Sequence, residues 1–328
     1  MIGEFDLIKR YFAPLGKDQV AESVLMGIGD DAAVISPRPG KELVVASDTL
    51  VAGVHFPQNA NPALIARRSL RVNLSDMAAM GAKPCWFTLA LTIPEANEKW
   101  LAPFASGLAQ DAQCYGCQLV GGDTTRGPLA ITLTLIGEVE PGKALLRSGA
   151  KPGDSVFVSG ELGSAAAALD LLDKPEDELA DWQKILRERY YLPEPCLELG
   201  RSLVDIATAA IDISDGMLAD AGHIAQSSCV RIALNSEKLP TLPSLQQFYS
   251  PNVVQKWQLI GGDDYQLCFT VPANKLKQLD AVQKKLSCRI TQVGEVLESD
   301  TEGQVICLDA NGIPMQIEKT GYTHFQNE

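Results

Sequence analysis

The chain has 328 residues, 46% hydrophobic and 21% charged, a composition that excludes a disordered or fibrous protein and leaves room for two packed domains. Its formal charge of −13 argues against a nucleic-acid partner, which wants clustered Lys and Arg, but leaves phosphate ligands open if metal ions bridge the like charges. No apolar run approaches the ~20 residues of a membrane span, and Met1 to Tyr11 lacks a signal-peptide core, so a cytoplasmic protein with no membrane partner is expected.

Strand and helix signals alternate through the first half. Met26 to Ile35 reads as a Gly-interrupted strand or strand pair, and Glu42 to Val51 as a strand. Pro62 to Met80 has apolar residues near helical spacing, Trp86 to Ile93 alternates like a strand, and Trp100 to Tyr115 reads as a helix stopped by Gly116. Gln118 to Gly121 and Ala130 to Val139 follow as strands. The turn cluster Lys151-Pro-Gly-Asp154 marks a boundary near residue 150. Beyond it the sequence predicts a strand at Ser155 to Gly160, an Ala-rich helix at Ser164 to Leu172 and an exposed loop or cap at Lys174 to Asp181. A helix at Pro195 to Ala207, a strand at Ala209 to Ile213 and a helix at Met217 to Ser227 come next, with strands at Leu267 to Val271 and Ile290 to Val296. The fold class is α/β (α+β) with domains at 1–150 and 151–328.

Aspartates gather at the ends of apolar runs. Gly27-Ile-Gly-Asp-Asp31 carries two after a flexible turn, and Asp48, Asp123, Asp212 and Asp215 sit at strand ends. Asp76 lies within an apolar helix, and Gly261-Gly-Asp-Asp264 repeats the Gly-Gly-Asp pattern of Gly121 to Asp123. Any one such cluster has an ordinary reading as a turn or helix cap. Turn chemistry does not call for acids on so many strand ends, whereas carboxylates beside buried runs are costly unless paired or metal-bound. Hard oxygen ligands in this pattern suit Mg²⁺, which takes one or two carboxylates and completes its shell with phosphates and water. The adjoining glycines let backbone N–H groups approach a phosphate.

Other chemistries find no support. There is no Gly-x-x-x-x-Gly-Lys-Ser/Thr loop and no protein-kinase signature set. With only His55, His223 and His324, no Ser-His-Asp or His-rich zinc set can be built. Of eight cysteines, Cys114-Tyr-Gly-Cys117 has redox or zinc spacing, but a helix-to-strand turn explains it as well.

On these residues the sequence resembles the thiamine-monophosphate kinases, of the superfamily that includes aminoimidazole ribonucleotide synthetase and selenophosphate synthetase. The matching pieces run nearly the whole chain: Gly3-Glu-Phe5, Gly27 to Asp31, Ser47-Asp-Thr-Leu-Val-Ala-Gly-Val-His-Phe56, Asn73-Leu-Ser-Asp-Met-Ala-Ala-Met-Gly-Ala82, Gly121-Gly-Asp-Thr-Thr125, Arg147-Ser-Gly-Ala-Lys-Pro-Gly-Asp154, Ile211-Asp-Ile-Ser-Asp-Gly216 and Gly261-Gly-Asp-Asp-Tyr265. The resemblance implies an ATP-dependent kinase that converts thiamine monophosphate to thiamine diphosphate. It implies a homodimer whose ferredoxin-like, barrel-forming N-terminal halves bind ATP and Mg²⁺, with C-terminal α/β halves completing the active site. By matching motif positions, Asp31, Ala46, Ser47, Asp48, Asp76, Asp123, Asp212 and Asp215 would hold several Mg²⁺ ions. Gly122, Asp123, Arg147 and Ser214 would contact ATP, and Asp48, Asp123 and Arg147 would carry catalysis. His55, Asp263, Asp264 and Phe325 would face thiamine monophosphate. Two departures are visible: Ala46 stands where the family often has Ser, and Asp263 where it usually has Glu. A selenophosphate synthetase would need a reactive cysteine near its start, and the first here is Cys85; the hydrogenase maturation factor of the superfamily works through a C-terminal cysteine, and this sequence ends His324-Phe-Gln-Asn-Glu328.

Overall fold

The computed structural model describes residues 4–17, 23–299, 303–317 and 321–322. It divides into two compact units, Met1–Met77 with Ala82–Gly142, and Ala78–Gly81 with Lys143–Glu328.

In the first unit, short helices α1 (Glu4–Leu7) and α2 (Ala13–Lys17) precede an antiparallel pair, β1 (Val24–Met26) and β2 (Val34–Ile35), which flanks the Gly-Asp-Asp turn. Then come β3 (Glu42–Val51), α3 (Pro62–Ala79), β4 (Lys83–Ile93), α4 (Glu98–Tyr115), β5 (Gln118–Arg126) and β6 (Ala130–Val139). The four long strands form one sheet in the order β3-β6-β4-β5, parallel only between β4 and β5, the pair that α4 connects. Asn97 caps α4 by accepting the Lys99 N–H at 2.9 Å, and Gly116 ends it at φ 67° as expected from the sequence. The core is drawn from Trp86, Phe87, Leu89 and Leu91 of β4, Ile131, Leu133 and Leu135 of β6, and the apolar faces of α3 and α4. Asp111 of α4, fully buried, receives the guanidinium Nε of Arg67 at 2.9 Å and of Arg71 at 2.6 Å, stitching the two helices. Along β3, Leu43, Val45, Ser47 and Thr49 alternate onto an exposed face.

The second unit contains β7 (Ser155–Ser159), α5 (Ser164–Ala168), α6 (Asp181–Tyr191), α7 (Leu197–Leu203), β8 (Ala209–Asp212), α8 (Met217–Ser228), β9 (Arg231–Asn235), α9 (Pro243–Phe248), α10 (Pro251–Ile260), β10 (Leu267–Val271), α11 (Leu276–Leu286), β11 (Ile290–Leu297) and β12 (Gln304–Leu308). Its six strands run β12-β9-β11-β7-β10-β8, antiparallel except for β9 with β12. A core of Val156, Val158, Ile211, Ile213, Ile224, Ile232, Leu234 and Val296 lies between this sheet and α8.

Several bounds differ from the sequence reading. The Ala-rich helix is α-helical only to Ala168 and tightens into a 3₁₀ turn at Leu169–Leu171. The helix expected to reach Ala207 stops at Leu203, because Val204 turns extended at ψ 132° and Asp205 adopts φ 65°. The acidic stretch from Lys174 is a loop containing one 3₁₀ turn at Glu176–Glu178, and α6 begins at its last acid, Asp181. The eight cysteines are free thiols; Cys114 is exposed on the last turn of α4, while burial pushes the Cys117 thiol up to about 12. Cys117 therefore packs as a small apolar residue at the start of β5. Among the described residues no helix is long and apolar enough to cross a membrane.

Candidate active site

In the first unit the site is built on an edge strand. Among the described residues β3 pairs only with β6, so alternate amides on its other side have no sheet partner there. The Asp48 N–H is taken by the buried Asn73 side chain of α3 at 3.1 Å. Asp76, three residues further along α3, lies on the same helix face, and its side chain hydrogen-bonds to that of Asp48. Burial pushes the Asp48 carboxyl above its ordinary range, opposed by the Asp76 bond and by nearby His55. Two carboxylates in contact share either a proton or a cation; an arrangement that brings acid to acid, with hard oxygens only, fits Mg²⁺. His55 accepts the Val51 N–H on Nδ1 at 3.0 Å, which leaves Nε2 as its donor. Ala46 shares the Asp48 side of β3; Ser47 faces the other side, with Oγ 3.2 Å from the Leu133 carbonyl and 2.9 Å from Thr134 Oγ1.

Asp123 is exposed on β5, and the backbone before it is unusual. Val120 is an extra residue against β4, a bulge between the Phe87–Leu119 and Thr88–Gly121 pairs. Gly122 then takes φ 150°, and a Cβ there would stand 1.9 Å from the Leu89 carbonyl oxygen. Only glycine fits. Asp31 is exposed between β1 and β2, two residues after Gly29 at φ 128°, and its N–H bonds Asp30 Oδ1 at 2.9 Å.

In the second unit, two acid-bearing loops are laced together. Asp212, buried, ends β8, and half-buried Ser214 and Asp215 follow. The Asp263 N–H donates to the Ser214 carbonyl and the Tyr265 N–H to the Ile213 carbonyl, both at 2.8 Å. The approach is close enough that a Cβ on Gly262 would lie 2.4 Å from the Ser214 oxygen. Asp263 and Tyr265 pay for it with left-handed backbones, φ 68° and 49°, and the Tyr265 hydroxyl donates to Asp263 Oδ1 at 3.0 Å. The Asp264 carboxylate is turned inward, onto the N–H of Gly163 at 2.7 Å and of Ala165 at 3.4 Å at the start of α5. Burial pushes it up to about 7, against the pull of those amides. Arg147 is exposed, and its loop is held by Ser228, whose Oγ donates to the Arg147 carbonyl and accepts the Gly149 and Ala150 N–H groups. Phe325 lies outside the described residues.

Two residues of the site carry no sequence signal that singles them out. One is Asn73. The other is Asp220 on α8, whose Oδ2 receives the N–H groups of Ser214, Asp215 and Gly216, each at 3.0 Å. Burial first, then the charges of Asp212 and Asp215, push Asp220 up to about 7. Among the described residues no three His, Cys, Asp or Glu side chains form a ready metal cage. Each ion would therefore take few protein ligands here and draw the rest from phosphate and water, as Mg²⁺ does.

Comparison with known proteins gives this geometry its context. Residues 29–139 match the family model described as AIR synthase related protein, N-terminal domain. The thiamine-monophosphate kinase of Escherichia coli K12 is 43% identical over 98% of both chains. The crystal structure of thiamine-monophosphate kinase from Stenotrophomonas maltophilia K279a superposes with a TM-score of 0.82 at 43% identity, covering 91% of this chain and 95% of that one. AaThiL complexed with AMPPCP and TMP superposes with a TM-score of 0.76 at 33% identity, covering 98% and 97%. Asp48 and Asp123, expected at strand ends, lie within β3 and β5, which run on to Val51 and Arg126 through strand pairing. Kinship of this extent spans the acid-bearing segments of both units as well as the sheets that present them, and the chain belongs to the thiamine-monophosphate kinase family.

Proposed function

We infer that the chain transfers the terminal phosphate of ATP to thiamine monophosphate, giving thiamine diphosphate and ADP. The observation that carries the chemistry is the contact between Asp48 and Asp76, acid on acid at the edge of a sheet, in a chain that aligns with kinases almost end to end. The acceptor is a phosphate monoester whose second pKa is ~6, so it arrives as a dianion and needs no general base. The obstacle is bringing two polyanions together, and phosphoryl transfer is mainly positioning and charge neutralisation. Mg²⁺, when bound, would supply the positive charge that offsets the phosphates.

The residues that would hold it are Asp31, Asp48, Asp76 and Asp123 with the backbone of Ala46 and Ser47 in the first unit, and Asp212 and Asp215 in the second. Gly122 lets β5 run tight against β4 and sets the direction of Asp123. Arg147, exposed and free of any carboxylate partner among the described residues, is available to a nucleotide phosphate. His55, placed beside Asp48, is assigned to the substrate. In the second unit Asp263 is the acid of its loop that remains half-exposed for substrate, while Asp264 acts by fixing that loop to α5. Phe325 is assigned to stacking on the thiamine ring, a contact worth ~0.5–2 kcal/mol for a cation on an aromatic face. The two units correspond to an ATP- and Mg²⁺-binding half and a half that carries the remaining acids. A homodimer through the first unit is supported by the exposed apolar side chains Leu43 and Val45 on the edge strand, with Leu25, Met26 and Val34 on β1 and β2. The cytoplasm is the proposed location.

ADP release measured with thiamine monophosphate, with aminoimidazole precursors and with no acceptor tests the reading. Release that depends on thiamine monophosphate is expected; equal release without acceptor would overturn it. Transfer is direct and in line, so labelled ATP leaves no phosphate on the protein, and a covalent phosphoprotein would refute that step.

A further inference from the structure

We propose that Asp220 is a positioning residue of the kinase: it turns the amides of residues 214–216 inward, so that this loop offers a ligand its side-chain oxygens and no backbone N–H. The proposal rests on the kinase reading and deepens it. Backbone groups must all be accounted for, and here they are. The Ile213 N–H donates to the Gln266 carbonyl at 2.7 Å, and the Ile213 carbonyl accepts from Tyr265 at 2.8 Å. The Ser214, Asp215 and Gly216 N–H groups all go to Asp220 Oδ2 at 3.0 Å. The Ser214 carbonyl accepts from Asp263 at 2.8 Å, that of Asp215 from Tyr322 at 3.1 Å, and that of Gly216 from the Asp220 N–H at 3.0 Å. Gly216 makes the turn possible with φ 123°, at a place where a Cβ would sit 2.9 Å from the Ile260 carbonyl carbon.

Amides gathered before a helix are ordinarily an anion receptor. In this loop the receptor is already filled by a buried carboxylate of the protein itself. A nucleotide phosphate therefore cannot take these amides. What the loop presents is the Ser214 hydroxyl and the carboxylates of Asp212 and Asp215, an oxygen set suited to a cation. Asp220 thus fixes the directions of those oxygens without touching a ligand.

The test compares full-length wild type with Asp220→Ala and Asp220→Asn. Amide hydrogen exchange is measured without ligands, and turnover is titrated with magnesium. In Asp220→Ala, exchange at 214–216 accelerates while the β8 amides stay protected. The magnesium concentration giving half-maximal turnover rises ~10–100-fold, the usual effect of losing a group that orients a metal ligand. Asp220→Asn restores most of both, because its Oδ1 can receive the same three N–H groups. A merely destabilised protein would lose active fraction without moving the magnesium midpoint. Unchanged exchange in Asp220→Ala, an unmoved magnesium midpoint, or an Asn variant as impaired as Ala would each overturn the proposal. Failure of the kinase reading shows separately, as absence of acceptor-dependent ADP release in the wild type; it would remove the positioning role while the exchange pattern still reports the clamp.

Discussion

Burial of Asp264 makes the stability of the second unit depend on pH in a direction opposite to that of an ordinary salt-bridged acid. The carboxyl is held at about 7 in the folded chain against an ordinary 3.8. The native state therefore keeps a proton that the unfolded chain gives up, and stability falls as pH rises between those values. The penalty is absent below the lower pKa and complete above the upper one. A difference of about three units corresponds to on the order of 4 kcal/mol, of which the part above about pH 5 is on the order of 3 kcal/mol. Asp264→Asn removes the titration and keeps an oxygen for the Gly163 N–H, now bonded at 2.7 Å. Thermal unfolding of ligand-free protein in EDTA, at about pH 5 and about pH 8, gives four melting temperatures. The wild type should lose roughly 5–10 °C more than the variant over that interval, at ~2–4 °C per kcal/mol for a unit of this size. Asp220 titrates in the same range but is present in both proteins, so it cancels in the difference. Parallel losses in the two proteins would refute the reasoning.

Asp48→Asn and Asp123→Asn should each abolish turnover while leaving circular dichroism and the melting temperature close to wild type; near-normal activity in both would sink the metal-holding role of these two strand residues. Arg71→Met should destabilise the first unit by ~3 kcal/mol in urea titration, because Asp111 is buried and loses one of its two guanidinium partners. A shift below ~0.5 kcal/mol would mean that Arg67 alone satisfies the acid. Gly122→Ala should cost ~3 kcal/mol or more, since its Cβ would meet the Leu89 oxygen at 1.9 Å on a backbone at φ 150°. An unchanged urea midpoint in that variant would show that β4 and β5 can move apart.

The first unit was more legible in the sequence than the second, for a physical reason. α3, α4 and β6 each carry a readable period, β3 opens on a run of β-formers from Leu43 to Val45, and Gly116 ends α4 where a left-handed residue is needed. β5 was legible only to Gly121. Its remainder, Gly122 to Arg126, has no apolar alternation and is a strand because β4 pairs with it. In the second unit β9 and β12, each of five residues, and helices α6 and α9 to α11 went unread, most of them short or, in α11, burying only Leu279. The same limit applies to the site. A list of acids beside apolar runs is visible in sequence, but their exact place on the strands and the direction of each side chain are not. Gly-Gly-Asp-Asp gives no sign that Asp264 turns inward and Asp263 stays accessible; the left-handed backbone at Asp263 decides it. Asp220 reads as any polar helix residue until its three amide donors are seen.

That distinction divides the acids by what satisfies them. Asp111 has two arginines, Asp154 has the Lys151 N–H and the Thr208 hydroxyl, Asp264 has the amides that open α5, and Asp220 has three amides of its own loop. These carboxylates are answered by donors of the protein and hold the frame. Asp48 meets Asp76, Asp212 and Asp215 press their charge on Asp220, and Asp31 and Asp123 stand exposed. With 41 acids against 28 Lys and Arg, the chain cannot give every acid a cation of its own. An acid set next to another acid raises the free energy of the empty site, and a divalent ion, were one bound there as proposed, would relieve that strain. The framing acids make the arrangement possible: a loop whose amides and carbonyls were unpaired would relax and let its carboxylates separate, whereas a loop with every backbone group engaged keeps them together.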